Sequence, residues 1–477
     1  MSTVGILAKE SNDPENLAVK ALNSMRAPGD RECKIVADGN TAVGFVGSIA
    51  STGKELVSAQ LKDGSRIVLV ATSQLLGESI FSTVDKVSHG VQVRMPDILN
   101  TLSEPAHHQR SGWSLIGAVG DRLLGGRDII GQRPLFWGRS GEFTILASSR
   151  KAIWSIGILS VSCVPEGDIT EFEDGQHRRR RIGRLTRSRP TTLGMGQAAT
   201  ELLNLLHTSI KAVVQGSKRV GILFSGGLDS SVVAAAARGL GLEIRLYSAA
   251  FGGSSDVASA EKVAGLLGLE LDVEVVSLDE AEDILRRVVW EIESSDPIQV
   301  CVGMPIEVAT RRAVERGERL LLSGCGADEL FGGYSKYLAS YRMGGEEGVA
   351  DVIFKDILGL GRRDLLRDGA IGEANRVQLA APFLDLELVR FGLKLPVSLK
   401  LQGAENGLRK RVLRRTAQMM GIPQEIVEMP KKAAQYSSKS LAVAKRLAKR
   451  EGLNLRGYLE STFNEVFSYY SKAEGKP

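Results

Sequence analysis

The first third of the chain is built from short alternations of apolar and polar positions. Ser65-Arg66-Ile67-Val68-Leu69-Val70 and Glu142-Phe143-Thr144-Ile145-Leu146-Ala147 have the length and pattern of strands packed on a core. Past residue 190 the period changes. Leu202 to Val214 and Asp256 to Leu267 repeat apolar residues at helical spacing, while Glu243 to Ala249 and Glu318 to Leu322 are short apolar runs of the buried-strand kind. Strands alternating with helices predict a parallel, doubly wound sheet. Between the two regions lies His177-Arg178-Arg179-Arg180-Arg181, followed by Arg184, Arg187, Arg189 and Pro190-Thr191-Thr192. A like-charged run ending in proline reads as a solvated boundary between domains.

Composition narrows the class without identifying it. With 477 residues, 43% of them hydrophobic, the chain can bury more than one core. No apolar run approaches the ~18 residues that span a bilayer, and Met1-Ser2-Thr3-Val4 lacks the basic start of a secretion signal. A cytoplasmic protein with no membrane partner is expected. Cys33, Cys163, Cys301 and Cys325 are scattered and have no zinc-like spacing, so neither disulfides nor a structural metal is expected. A net charge of +5 over this length is too small to argue for a nucleic-acid partner.

The candidate chemistry begins where an apolar strand runs into Ser225-Gly226-Gly227-Leu228-Asp229-Ser230-Ser231. Gly226 and Gly227 are expected to turn with positive φ and to let backbone approach a ligand. Ser225, Ser230 and Ser231 add hydroxyls beside the amides of a helix start, which is an anion cradle. Asp229 would repel a bare phosphate, so its presence calls for a bridging Mg²⁺. The run is not a Walker loop: Gly47 to Gly53-Lys54 has one residue too many between its glycines and Glu55 where Ser or Thr is required. A second loop, Ser323-Gly324-Cys325-Gly326-Ala327-Asp328-Glu329, also follows a strand. Loops at the carboxyl ends of neighbouring parallel strands converge on one crevice, so Asp328 can face Asp229 across a shared metal-pyrophosphate group.

These motifs resemble, in order, those of the class B asparagine synthetases and their β-lactam-forming relatives. The SGGLDSS loop is similar to the loop of the ATP pyrophosphatases. Agreement extends from about Leu202 to Ser438 and takes in Glu293-Ser294-Ser295-Asp296-Pro297, Leu366-Arg367-Asp368, Pro382-Phe383-Leu384-Asp385, Lys410-Arg411-Val412-Leu413-Arg414 and Pro430-Lys431-Lys432-Ala433-Ala434-Gln435-Tyr436. The resemblance implies ATP and Mg²⁺ as cofactors and a carboxylate activated as an acyl-adenylate, which a nitrogen nucleophile then attacks. It assigns ATP binding to Ser225, Gly226, Gly227, Asp229, Ser230, Ser248, Gly324 and Lys410, metal binding to Asp229 and Asp328, and catalysis to Asp328 and Lys431. Lys432 competes with Lys431 for that role. Asp256 is expected to cap the following helix.

The N-terminal region resembles the same family in damaged form. Arg127-Asp128-Ile129-Ile130-Gly131-Gln132-Arg133-Pro134-Leu135-Phe136 and Ala147-Ser148-Ser149-Arg150 match the later half of a glutaminase domain with an αββα fold. Aligning its Cys-Gly-Ile start on Gly5-Ile6 puts Val4 at the nucleophile's position, and valine cannot attack. Met25 to Asp30 and Val70 to Gln74 only echo the glutamine-binding segments, so a non-hydrolysing remnant is expected. In the synthetase half, Cys325 stands where the family has glutamate, Cys301 near its arginine, and Gln378-Leu379-Ala380-Ala381 at its Glu-x-Arg. The expected domains are 1–175, glutaminase-like; 176–195, a basic linker; 196–440, an α/β ATP pyrophosphatase domain; and 441–477, a helical extension. The expected partners are a small-molecule carboxylate and an amine donor, with a homodimer or a separate glutaminase left open. The alternatives to an asparagine-synthetase-like amide ligase are a ligase for another amide or lactam and a non-catalytic nucleotide-binding protein.

Overall fold

The computed structural model describes residues 1–9, 12–26, 30, 32–47, 56–60, 66–71, 112–252, 255–403, 409–430 and 438–468. The chain forms two compact units, Met1–Leu185 with Phe467–Pro477, and Thr186–Val466.

The strands of the first unit are β1 (Ser2–Ala8), β2 (Glu32–Asp38), β3 (Thr41–Gly47), β4 (Leu56–Gln60), β5 (Arg66–Ala71), β6 (Ser114–Val119), β7 (Arg122–Arg127), β8 (Phe136–Arg139), β9 (Phe143–Ala147), β10 (Val161–Cys163), β11 (Asp168–Glu173) and β12 (Gln176–Arg181). They pair antiparallel into two six-stranded sheets, ordered β10-β8-β9-β1-β3-β2 and β12-β11-β7-β6-β5-β4. Val43 and Phe45 of β3 share one buried cluster with Val68 and Val70 of β5 and Ile116 and Ala118 of β6, so the sheets are packed face to face. β3 is buried along its whole length. Its other face is covered by the helix Pro14–Ser24, which also packs on β1. The described residues thus contain helix, sheet and sheet, three layers of the expected four.

The basic run departs from its expected linker role. Residues 176–181 form the edge strand β12, in antiparallel register with β11, and Arg181 is paired with Asp168. Arginines suit an edge strand because charge there discourages pairing with another chain. The compact unit ends only after Leu185. Residues 467–468 also belong to it: Phe467 packs edge-on against Trp154 at 5.1 Å.

The second unit holds five parallel strands, β13 (Arg219–Leu223), β14 (Glu243–Phe251), β15 (Glu270–Val276), β16 (Leu320–Leu322) and β17 (Gln378–Ala380), in the order β15-β14-β13-β16-β17. The chain moves outward from β13 to β15, then returns to the opposite side of β13, which makes β13 and β16 the switch point of the sheet. The helices Leu228–Gly239 and Ser255–Leu267 join the first three strands. Asp256 lies inside the first turn of its helix, one residue past the start. β16 begins at Leu320, two residues later than its pattern predicts, because the Glu318 amide is bonded to the Ala313 carbonyl and cannot join the ladder. Two helices, Ser440–Arg450 and Leu455–Val466, pack against Leu278–Ile292 and Pro297–Glu315. No helix among the described residues is long and apolar enough to cross a membrane.

Lys400 follows the 3-10 turn Val397–Leu399 and is 2% exposed, next to Leu401 of a cluster built on Tyr337, Val349, Ile353 and Val397. Burial pushes its ammonium down from 10.5 to about 7. Between those values unfolding takes up a proton, so this residue's contribution to stability is present above pH 10.5 and lost as the pH falls through about 7. Lys400→Met should flatten that slope and stabilise the protein near neutrality, by on the order of a few kcal/mol. Urea unfolding at several pH values checks this; an unchanged slope in the variant refutes it.

Candidate active site

The parallel pairing of β13 with β14 continues one residue past the strand, where the Phe224 amide donates to the Tyr247 carbonyl at 2.8 Å. The chain then leaves the sheet through exposed Ser225 and turns at Gly226, whose φ is +69. Gly227 does not share that conformation: with φ −93 and ψ 170 it is extended, as the residue before a helix usually is. Gly226 also needs its missing side chain for space, since a Cβ there would lie 3.1 Å from the Cα of Ala260 on the next helix. Ser231 and Ser230 donate to the Gly227 carbonyl at 2.9 and 3.2 Å, and the hydroxyls of Ser225 and Ser230 are 3.3 Å apart. These contacts fix the loop. The 12-residue helix that follows has no side-chain cap, and an uncapped helix start favours an anion.

β16 lies against β13 with Gly221 opposite Leu321 and Ile222 opposite Leu322, so their loops emerge side by side. The second loop comes very close to the first: a Cβ on Gly324 would lie 2.8 Å from the Cβ of Asp229 and 3.1 Å from the Ser230 amide nitrogen. The five-residue helix Ala327–Phe331 then presents Asp328 and Glu329, both buried. A third segment completes the group. Lys410 Nζ donates to both oxygens of Asp229 at 2.6 Å and lies 2.5 Å from Oδ1 of Asp328. Ser225, Gly226, Gly227, Asp229, Ser230, Gly324, Asp328 and Lys410 therefore gather at the switch point. Ser248 was expected at a strand end but lies inside β14, which continues to Phe251. It is nevertheless the first residue beyond the pairing with β13, beside the Ser225 loop.

Two carboxylates from different loops already hold one cation, the Lys410 ammonium. That donor set fits a Mg²⁺ that takes one or two protein carboxylates and fills its remaining positions with phosphate oxygens and water. It does not fit a metal caged by protein alone: among the described residues no group of three or more His, Cys, Asp or Glu could hold an ion.

Lys431 and Lys432 lie outside the described residues, but the chain on either side of them is anchored. Arg414 donates to the carbonyls of Val427 and Met429, the latter at 3.1 Å, and it belongs to the helix Arg411–Met419 that follows Lys410. At the other end, the Phe251 amide at the close of β14 donates to the Ser438 carbonyl at 3.0 Å. The sequence carried no signal for Arg414 in this role beyond its place in the Lys410–Arg414 motif.

Around Cys325 the motifs Leu366-Arg367-Asp368 and Asp296-Pro297 come together. Arg367 is 5% exposed and donates to Asp368 at 2.8 Å, Asp364 at 3.0 Å and Gln299 at 3.1 Å. Gln299 is placed by the Asp296 carboxylate, which caps the helix Pro297–Glu315 through the amides of Ile298 and Gln299. Burial and then the Asp328 charge push the Glu329 carboxyl up to about 7, and Tyr334 donates to it at 2.7 Å. Ala380 sits beside this loop, its carbonyl accepting from the Ser323 amide at 2.9 Å. Gln378 does not: it is exposed at the start of β17, opposite Leu320, two strand positions or roughly 7 Å away. Gln378 and Ala380 thus occupy opposite ends of that three-residue strand.

Residues 201–351 and 341–467 match the family described as asparagine synthase. The chain is 31% identical over 373 residues to the putative asparagine synthetase [glutamine-hydrolyzing] 1 of Methanocaldococcus jannaschii, covering 69% of each. It is 28% identical over 324 residues to asparagine synthetase B [glutamine-hydrolyzing] of Escherichia coli, covering 63% of this chain and 56% of that one. The chain thus spans from about a third to about two thirds of the length of the curated relatives it matches. Among solved structures, the glutamine PRPP amidotransferase from B. subtilis aligns with a TM-score of 0.33 at 13% identity, over 59% of this chain and 91% of that one.

The cysteines differ in reactivity by position. Burial, followed by the charges of Asp368, Asp364 and Glu329, raises the Cys325 thiol well above its ordinary range, and burial raises that of Cys301 to about 12. Cys33 is exposed on β2. The thiolate is the reactive form, so iodoacetamide near neutral pH should modify Cys33 at least ~10-fold faster than Cys325 or Cys301. Peptide mapping by mass spectrometry reads the order; rapid labelling of Cys325 would instead mark it as an activated nucleophile.

Proposed function

The chain belongs to the asparagine synthase family, and on that premise we propose that it is an ATP-dependent, AMP-forming amide ligase of the cytoplasm. A substrate carboxylate oxygen attacks the α-phosphorus of ATP, the bond to pyrophosphate breaks, and an amine nitrogen then displaces AMP from the acyl carbon. The observation that carries this reading is the convergence of Asp229, Asp328 and Lys410 beside an uncapped helix start at the sheet's switch point. In it, Ser225 to Ser230 and Gly324 hold the phosphates, Ser248 faces the nucleoside side, and Asp229 and Asp328 hold Mg²⁺. The metal supplies charge neutralisation between the nucleotide and the incoming carboxylate. Lys431 supplies a fixed cation where charge develops in the transition state. Keeping all of these groups is hard to reconcile with a non-catalytic nucleotide-binding protein.

Two features bear on the substrates. Aspartate has an α-carboxylate that calls for a cation, yet Arg367, the buried cation bordering Cys325, is already committed to Asp364, Asp368 and Gln299. That supports an acceptor other than aspartate, while the names of the relatives favour aspartate itself. For the nitrogen donor, Val4 is fully buried in β1, and Ser2 and Thr3 are 2% and 1% exposed, with the Thr3 amide bonded to Ser148 Oγ at 3.1 Å. No hydroxyl is presented as a nucleophile there. Free ammonia or another amine is the donor in this reading, delivered with or without a separate glutaminase.

The test is pyrophosphate release from ATP screened over carboxylates, aspartate included, with calorimetry for ATP affinity. Asp229→Asn and Asp328→Asn should weaken Mg-ATP binding and turnover together. Lys431→Ala should leave ATP affinity nearly intact but lower turnover at least ~100-fold, the scale of one preorganised charge acting in the transition state. Lys432→Ala is the control: loss there with full activity in Lys431→Ala moves the role by one residue, and full activity in both refutes the mechanism. Glutamate release from glutamine should stay at background, and turnover that disappears in Ser2→Ala would overturn the assignment of a non-hydrolysing first unit.

A further inference from the structure

Lys410 is held differently from an ordinary ion-pair lysine. Three short contacts from two loops converge on one ammonium, whose side chain is 3% exposed, and the two carboxylates are 14% and 11% exposed. This is how two carboxylates grip a bound cation. The chain takes strained measures to put it there. Lys410 has φ +60, a conformation that residues with a Cβ seldom adopt, and the helix Arg411–Met419 starts immediately after it. Arg409 donates to the Gly333 carbonyl at 2.7 Å, tying the preceding residue to the Asp328 loop. At Gly333 any Cβ would overlap Asp328 Oδ1 and collide with Cε of Lys410, so the absence of a side chain makes room for the ammonium.

Two carboxylates and one ammonium leave a net charge of only −1. A free divalent ion entering between Asp229 and Asp328 would have to sit against the ammonium, and the repulsion between two cations in a nearly dry site opposes it. A divalent ion arriving on a polyphosphate meets a different balance, because the phosphate oxygens offer the ammonium new anionic partners as it leaves the carboxylates. We propose that Lys410 is a placeholder cation: in the nucleotide-free protein its ammonium occupies the position of the divalent ion between Asp229 and Asp328, and the ion enters only together with the nucleotide. This rests on the reading of the crevice as a Mg-ATP site. It makes metal and nucleotide one ligand for this protein.

The experiment follows free Mn²⁺ by electron paramagnetic resonance as the ion is titrated into the full chain, with and without a non-hydrolysable ATP analogue. The wild type should bind one Mn²⁺ at this site only with the analogue present. Lys410→Met should bind one Mn²⁺ at least ~10-fold more tightly than wild type without any nucleotide, because the competing charge is gone. That gain should vanish in the Asp229→Asn, Lys410→Met double variant. Equal Mn²⁺ affinity of the wild type with and without analogue, abolished by Asp229→Asn, overturns the placeholder and leaves the Mg-ATP site standing. A folded Lys410→Met chain with no gain also overturns it. No binding of analogue or Mn²⁺ under any condition removes the ATP site and the placeholder together. Should Lys410→Met not fold, as judged by circular dichroism, the wild-type titration decides alone.

Discussion

Two carboxylates that share one ammonium cannot be far apart. With contacts of 2.6 and 2.5 Å, the bonded oxygens of Asp229 and Asp328 are separated by roughly 5 Å at most. Like charges at that distance repel by about 3 kcal/mol at an effective dielectric near 20, before any cost of taking them out of water. The sheet order brings the two loops together, and Gly324 lets them touch, but neither feature makes the pairing electrostatically tolerable. Lys410 does, and the left-handed backbone that delivers it follows from that requirement. The arrangement is therefore built around a cation, and the residues that shape it come from three separate stretches of chain.

The parts of this site that were legible in the sequence are those whose geometry is local. A strand, a glycine turn and a helix start follow each other within a dozen residues around Ser225, and the composition of that stretch predicts its shape. The alternation of strands and helices likewise predicted the sheet that puts Asp328 beside Asp229. What could not be read is set by distance or by competition. Lys410 has no spacing relation to Asp229, so its bridging role appears only in three dimensions. Gly227 looked like a second left-handed glycine, but the needs of the helix start held it extended.

One motif of the first unit that was legible in the sequence has a structural task. Arg127 and Asp128 do structural work. Asp128 accepts from the amides of Trp113, Ile130, Gly131 and Gln132, while Arg127 donates to the carbonyls of Arg133, Gly131 and Val164. Both side chains are buried, so removing either would leave several backbone groups without partners. The basic strand β12 shows the converse case: a segment that reads as solvated linker is part of the sheet, and its charge belongs to an edge.

The ion pair between Asp229 and Lys410 spans 181 residues of sequence. A ribosome makes the chain from its N-terminus at roughly 5 to 20 residues per second, so the Asp229 loop is made roughly 9 to 36 seconds before the lysine, and both acidic loops exist together for roughly 4 to 16 seconds before it is synthesised. Over that interval the two carboxylates can come together only if one keeps a proton or the loops stay apart. The crevice at the switch point is thus among the last features of the second unit to close during biosynthesis, and a nascent chain interrupted before Lys410 would carry both acidic loops without the lysine between them.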